Sequence, residues 1–287
     1  MMAEVFAAPA ITGLEVGMLT LGRQHLRVGV RAPRNGEPAL LLFNGIGGNI
    51  ELFAPLMSAL DPNVGIITFD MPGVGHSATP SWPYRPHHMA NLAYRVLVHL
   101  GYAQVDVLGT SWGGIVAQEF ARRHASACRR LILAATTTGV VMVPARPLAM
   151  VGMALPRRGV VSDLLRRPLV GLWGATWGGD FRRDPTLGQR YLRHIRWQST
   201  LGQALQLLAL TGWTSVHWLH RLTQPVLVMC GDDDPITRPL NARLQHALLR
   251  DARLWRVDCG HLFLITRAAP AARAIENFLH QRDIEHD

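Results

Sequence analysis

A chain of 287 residues, 48% hydrophobic and 17% charged, is long and apolar enough to bury a sizeable core, which excludes disorder as its main state. Its 29 basic residues, all arginine, exceed 20 acidic ones for a net charge of +9, yet the pairs at 122/123, 129/130, 157/158, 166/167 and 182/183 are scattered and no nucleic-acid motif accompanies them, so no nucleic-acid partner is expected. Three cysteines, Cys128, Cys230 and Cys259, make neither a paired framework nor a metal-ligand spacing, and no metal or cofactor is expected.

Residues 1–26 carry Glu4 and no basic region ahead of an apolar run, which predicts no secretory signal and a cytoplasmic protein. Short β-rich runs then recur at 25–32, 39–44, 64–70, 105–109, 130–135, 225–230 and 253–258. Between them, apolar residues at three- and four-residue spacing predict helices over 88–100, 113–123, 240–249 and 268–281. Continuous apolar strands alternating with helices imply an α/β fold around a buried, mostly parallel sheet.

The alternation stops between about residues 140 and 222. The expected organisation is therefore a core over 1–139 and 223–287, interrupted by a helical cap over 140–222. Its longest apolar stretch, 140–156, is broken by Pro144, Arg146 and Pro147 and is too short to span a hydrocarbon core of about 30 Å. Trp173, Trp177, Trp213 and Trp218 fall in this segment with several methionines. They are expected to line an apolar substrate pocket, the alternative being that they form the segment's own core. Residues 140–220 also hold ten arginines against three aspartates, +7 of the chain's +9; this is either a solvated basic face or a surface that meets something anionic.

The sharpest motif is Gly109-Thr110-Ser111-Trp112-Gly113-Gly114, a G-x-S-x-G elbow between a predicted strand and a predicted helix. With 8 serines and 27 glycines in the chain, random placement yields roughly 0.07 such matches. A serine hydroxyl needs a base to become nucleophilic, and the base needs a group that fixes its tautomer. Both follow in order. One strand ends at Gly231-Asp232-Asp233-Asp234-Pro235 and another at Cys259-Gly260-His261. Asp234 is the expected acid, with Asp232 or Asp233 capping the turn or pairing with arginine, and His261 is the expected base. The strand ending near Ala135 offers no carboxylate in Thr136-Thr137-Thr138-Gly139. Oxyanion donors are expected from the backbone N–H groups of Trp112 and of Ile46, the latter in the run Asn44-Gly45-Ile46-Gly47-Gly48, which lacks the pattern of a phosphate loop. The run Asp70 to Ser77 is a structural turn at the edge of the site, and His76 has no part in the triad.

With these motifs the chain resembles the α/β-hydrolase superfamily and, within it, the intracellular depolymerases of medium-chain-length poly(3-hydroxyalkanoates). The resemblance covers most of the chain and includes Pro83-Tyr84-Arg85, Val141-Met142-Val143-Pro144, Phe181-Arg182-Arg183-Asp184-Pro185, Gly212-Trp213-Thr214-Ser215 and Gly260 to Arg267. It implies triad roles for Ser111, Asp234 and His261. It also puts Asn44, where many relatives carry the His of a His-Gly pair, with the substrate-binding residues. Cys259 departs from the glycine or acidic residue expected before Gly260. The implied activity is serine esterase attack on a hydrophobic polyester or its oligomers; the +7 charge of the cap is then available either to dock on the anionic coat of a storage granule or to attract acidic products. A small-substrate carboxylesterase or a carbon–carbon bond hydrolase uses the same triad, and a non-catalytic binding protein is the reading from another class.

Overall fold

The computed structural model describes residues 13–34, 36–80, 82–154, 174–184, 187 and 200–281. Among the described residues eight strands form one sheet: β1 (Glu15–Leu21), β2 (Gln24–Arg31), β3 (Leu40–Phe43), β4 (Ile66–Phe69), β5 (Val105–Thr110), β6 (Cys128–Ala134), β7 (Val226–Gly231) and β8 (Ala252–Val257). Their order is β1-β2-β4-β3-β5-β6-β7-β8. From β4 to β8 all neighbours are parallel, whereas β1–β2 and β2–β4 are antiparallel.

Seven of these strands coincide with the apolar runs of the sequence. The eighth, β1, is invisible there because its side chains are nearly all exposed and it is held by backbone pairing to β2 across the Gly22-Arg23 turn. The two antiparallel pairs lie at one edge of the sheet. In β2, polar and apolar residues mix, as suits a strand near a sheet edge, while β3, β4 and β7 are buried at every position.

Successive residues of the central strands face opposite sides. Leu41 and Phe43 of β3, Val107 of β5 and Leu133 of β6 pack with α2 (Pro86–His99) and α3 (Trp112–Arg123). Leu40 and Leu42, Leu108 and Ile132 pack instead with α1 (Ala54–Ala59) and with the C-terminal helix Ala268–Leu279. This alternation, with a helical layer on each face, is why the strands read as unbroken hydrophobic runs.

The segment between β6 and β7 carries α4 (Pro147–Ala154), α5 (Asp180–Arg183) and α6 (Thr200–Ala209). Its ends run side by side: Gly139 bridges Thr214, the Val140 N–H donates to the Trp213 carbonyl (2.9 Å) and the Ser215 N–H to the Thr138 carbonyl (3.0 Å). After β7 come α7 (Pro239–Leu248), β8, α8 (Phe263–Thr266) and α9 (Ala268–Leu279). Among the described residues no helix is long and apolar enough to cross a membrane.

Candidate active site

Ser111 sits at the carboxyl end of β5, between β3 and β6, where the chain turns into α3. Its backbone has φ +53° and ψ −119°, a region that residues with a Cβ rarely occupy. Neighbouring strands hold it there. The Ser111 N–H donates to the Ala134 carbonyl (2.9 Å), and its carbonyl accepts from the Thr136 hydroxyl (2.7 Å). The two motif glycines answer close approaches: a Cβ on Gly113 would lie 2.1 Å from the Phe43 carbonyl oxygen, and one on Gly109 would lie 2.3 Å from that of Gly113. The elbow can therefore close only with glycine at both places.

The three aspartates after β7 have three different partners. Asp232 pairs with Arg256 (2.7 Å). Asp233 accepts from the Gly179 N–H (2.8 Å) and pairs with Arg182 (3.1 Å). Asp234 faces His261, with Oδ2 2.7 Å from Nδ1. The rest of its carboxylate is bound as tightly: Oδ1 accepts the N–H groups of Ile236 (2.8 Å) and Thr237 (2.9 Å), and Oδ2 also accepts the Thr237 hydroxyl (2.6 Å). Burial pushes this carboxyl up, but the facing imidazole and the hydrogen bonds from His261 and Thr237 outweigh it and hold the group below the usual carboxylate range. With Nδ1 turned to a carboxylate, the ring carries its proton there and Nε2 is its basic atom. His261 is fixed further by Trp177, whose carbonyl accepts the His261 N–H (2.8 Å) and whose ring lies 5.9 Å from the imidazole.

Ser111 and His261 line one cavity of about 60 Å³, together with Asn44, Ile46, Trp177 and Leu262. Gly45 opens the turn that brings Ile46 to Ser111, and a Cβ there would be only 3.4 Å from that of Ser111. Asn44 reaches the cavity wall, while its amide Nδ2 donates to the Asn49 carbonyl (2.7 Å). Trp112 opens α3, so its N–H is among those with no acceptor inside the helix. Trp112 itself is not among the residues lining the cavity, but the imidazole of His261, the hydroxyl of Ser111 and the backbone of the glycine turn around Ile46 share it, a set that can remove a proton from an attacking hydroxyl and stabilise a developing oxyanion.

The remaining predicted residues lie elsewhere. Trp213 and Trp218 are not among the residues lining the cavity. Their rings meet edge-to-face at 6.1 Å, the Trp213 indole donates to Glu119 of α3 (2.8 Å), and Arg122 lies 4.8 Å over Trp218. They hold the returning end of the inserted segment against α3. Trp173 lies outside the described residues.

Two features had no signal strong enough to read from the sequence. Thr237 braces Asp234 from a turn whose hydroxyl position only the fold reveals. The other is a clamp beside His261. Gly178 and Gly179 have φ +68° and +50°, and a Cβ on Gly179 would lie 2.0 Å from the Gly260 nitrogen. Next to this contact, Asp180 accepts from Arg267 at two points (2.8 and 3.0 Å) and from the Cys259 thiol (3.4 Å). Cys259 thus engages the clamp and leaves His261 facing Asp234. Arg182 and Arg183 meet Asp233 and Asp258, so part of the segment's positive charge is answered by acids of the sheet's loops.

Burial pushes the Asp180 carboxyl up, but Arg267, Thr266 and Cys259 hold it below the ordinary range. Its stabilisation is then complete above the usual carboxylate pKa of about 4 and is lost as pH falls through the depressed value. Asp180→Asn should cost about 1–3 kcal/mol at neutral pH, and the gap from wild type should close in acid. Urea unfolding of both proteins across pH checks this; a gap that widens in acid would contradict it.

A family model described as alpha/beta hydrolase fold matches residues 38–268. The chain belongs to the α/β-hydrolase fold family. It is 46% identical over 261 residues to a poly(3-hydroxyalkanoate) depolymerase of Ectopseudomonas oleovorans, covering 91% of each chain. A pimeloyl-[acyl-carrier protein] methyl ester esterase of Aromatoleum aromaticum is 30% identical, covering 84% of this hydrolase and 98% of that protein. Among solved structures, the enol-lactonase of Burkholderia xenovorans LB400 superposes with a TM-score of 0.76 at 22% identity, over 92% of this chain and 100% of that one. That likeness concerns the fold alone.

Proposed function

We propose that this hydrolase is a serine esterase that cleaves the ester bonds of a hydrophobic poly(3-hydroxyalkanoate) or its oligomers. The observation that carries the chemistry is the buried His261–Asp234 pair, 2.7 Å apart, opening onto the same cavity as the hydroxyl of Ser111 on its strained elbow. The Ser111 Oγ attacks the ester carbonyl carbon while His261 Nε2 takes its proton. The oxyanion that forms is held by the N–H groups of Ile46 and Trp112. As the intermediate collapses, the alkoxy oxygen leaves with the proton from Nε2, and Ser111 remains as an ester. A water molecule then gives its proton to Nε2 and attacks that ester. The acid is released and the hydroxyl of Ser111 recovers its proton. Asp234 stays ionised throughout and stabilises the imidazolium.

The polyester assignment is supported by the 46% identical relative and by the apolar wall that Ile46, Leu52, Leu262 and Ile265 give the cavity. Residues 140–222 act as a cap over it, and their arginines supply the charge to meet an anionic granule coat. Release of 3-hydroxy acids from medium-chain and short-chain polyester granules, with p-nitrophenyl esters as reference, tests this. Medium-chain granules should be degraded fastest, and granule binding should weaken as salt is raised. Turnover of the nitrophenyl esters with no attack on either polyester would assign the enzyme to small esters instead.

A further inference from the structure

Helix α6 of the inserted segment buries one face, Gly202, Leu205, Gln206 and Ala209, at the spacing of a single helical stripe. Gly202 lets the helix touch backbone: a Cβ there would lie 2.2 Å from the Gly73 carbonyl oxygen. One turn further along the same face, Gln206 is fully buried and makes two contacts, both beside the oxyanion donors of the proposed reaction. Its side-chain Oε1 accepts the Gly47 N–H (2.8 Å), and its backbone carbonyl accepts the Trp112 indole N–H (3.1 Å).

The first contact bears on the turn that carries Ile46. Gly45 to Gly48 is a turn closed by the Gly48 N–H on the Gly45 carbonyl (3.0 Å), with Gly47 at φ +67° in third place, the mark of a type II turn. The peptide joining Ile46 to Gly47 is the one that flips between turn types, and its N–H is the group Gln206 binds. The second contact fixes the side chain of Trp112, whose backbone N–H is the other donor. Gln206 Nε2 has no partner among the described residues. A buried amide with one unsatisfied end is a cost that leucine would avoid, so its value lies in the acceptor it offers Gly47.

We propose that Gln206 is a positioning residue for the oxyanion hole, so that alignment of both donors depends on α6 being seated. This rests on the serine-esterase reading above. Gln206→Leu removes the acceptor, and Gln206→Asn keeps an amide but is one methylene too short to reach Gly47. With active sites counted by complete fluorophosphonate labelling, each variant should lose about 10- to 100-fold in kcat, less than deletion of a donor costs. The Ki of a trifluoromethyl ketone, whose hemiketal oxyanion occupies the hole, should rise by a similar factor while KM stays within about twofold. A merely structural role would lower the count of active sites and leave kcat per site and Ki alone. That result, in either variant, overturns the role of Gln206. A wild-type enzyme that neither hydrolyses esters nor takes the label overturns the esterase reading on which it stands.

Discussion

Replacing Ser111 by alanine will lower ester turnover by about 10⁴- to 10⁶-fold, the loss expected when a nucleophile that works as a unit with its base is removed. The fold should persist, because everything that holds position 111 is backbone: its N–H on Ala134 and its carbonyl under the Thr136 hydroxyl. Alanine carries the same Cβ at φ +53° as serine does, so the strain is unchanged. Ser111→Gly removes that Cβ and should be at least as stable as wild type, by up to about 1–3 kcal/mol, while being equally inactive. Measured kcat with urea unfolding of both variants separates chemistry from folding. An alanine variant that keeps wild-type turnover would rule out Ser111 as the nucleophile.

Asp234→Asn should cost about 10⁴-fold in kcat, for a reason of tautomer more than of charge. The asparagine oxygen can still accept the N–H groups of Ile236 and Thr237 that Oδ1 accepts now. Its Nδ2 would then face His261 Nδ1 and donate to it, forcing the ring proton onto Nε2, where it cannot receive one from Ser111. Stability should respond to pH in a defined sense. The carboxyl of Asp234 lies below its ordinary range, so its stabilisation is complete above a pH of about 4 and declines as pH falls through the depressed value. The stability difference between wild type and the variant should therefore shrink in acid. Turnover within tenfold of wild type would deny Asp234 its role.

How much of this was legible in the sequence depended on whether the physical cause is local. The elbow is local: glycines at 109 and 113 are required by backbone within a few ångströms, so the motif and its strand-to-helix setting are readable together. The central strands are equally readable, because burial on both faces leaves a continuous apolar run. β1 is held only by pairing with β2, which leaves no apolar signature. The order of strands and helices pointed to the aspartate trio 232–234 and to His261; only the offset from Gly231 and the following Pro235 favoured Asp234 within the trio, and the fold sets it against His261.

The tryptophans show the opposite limit. An aromatic-rich insertion reads as a pocket wall, yet only Trp177 among the described ones lines the cavity. Trp213 and Trp218 fasten the segment to α3, a role set by Glu119 and Arg122 from a helix about a hundred positions earlier. Gln206 and Thr237 have no motif at all: each matters through one hydrogen bond whose partner only the fold supplies. The Gly178-Gly179 clamp is no more readable, because its cause, backbone contact with Gly260 beside His261, is not local.

The central claim is that Ser111, activated by His261 and Asp234, forms a covalent bond in the reaction. Mass-spectrometric mapping of the wild-type enzyme after fluorophosphonate labelling tests it most directly. The account predicts a single adduct on the peptide containing Ser111, formed rapidly in wild type and absent when His261 is replaced by alanine. An adduct on another residue, or a fully active enzyme that takes no label, would contradict it.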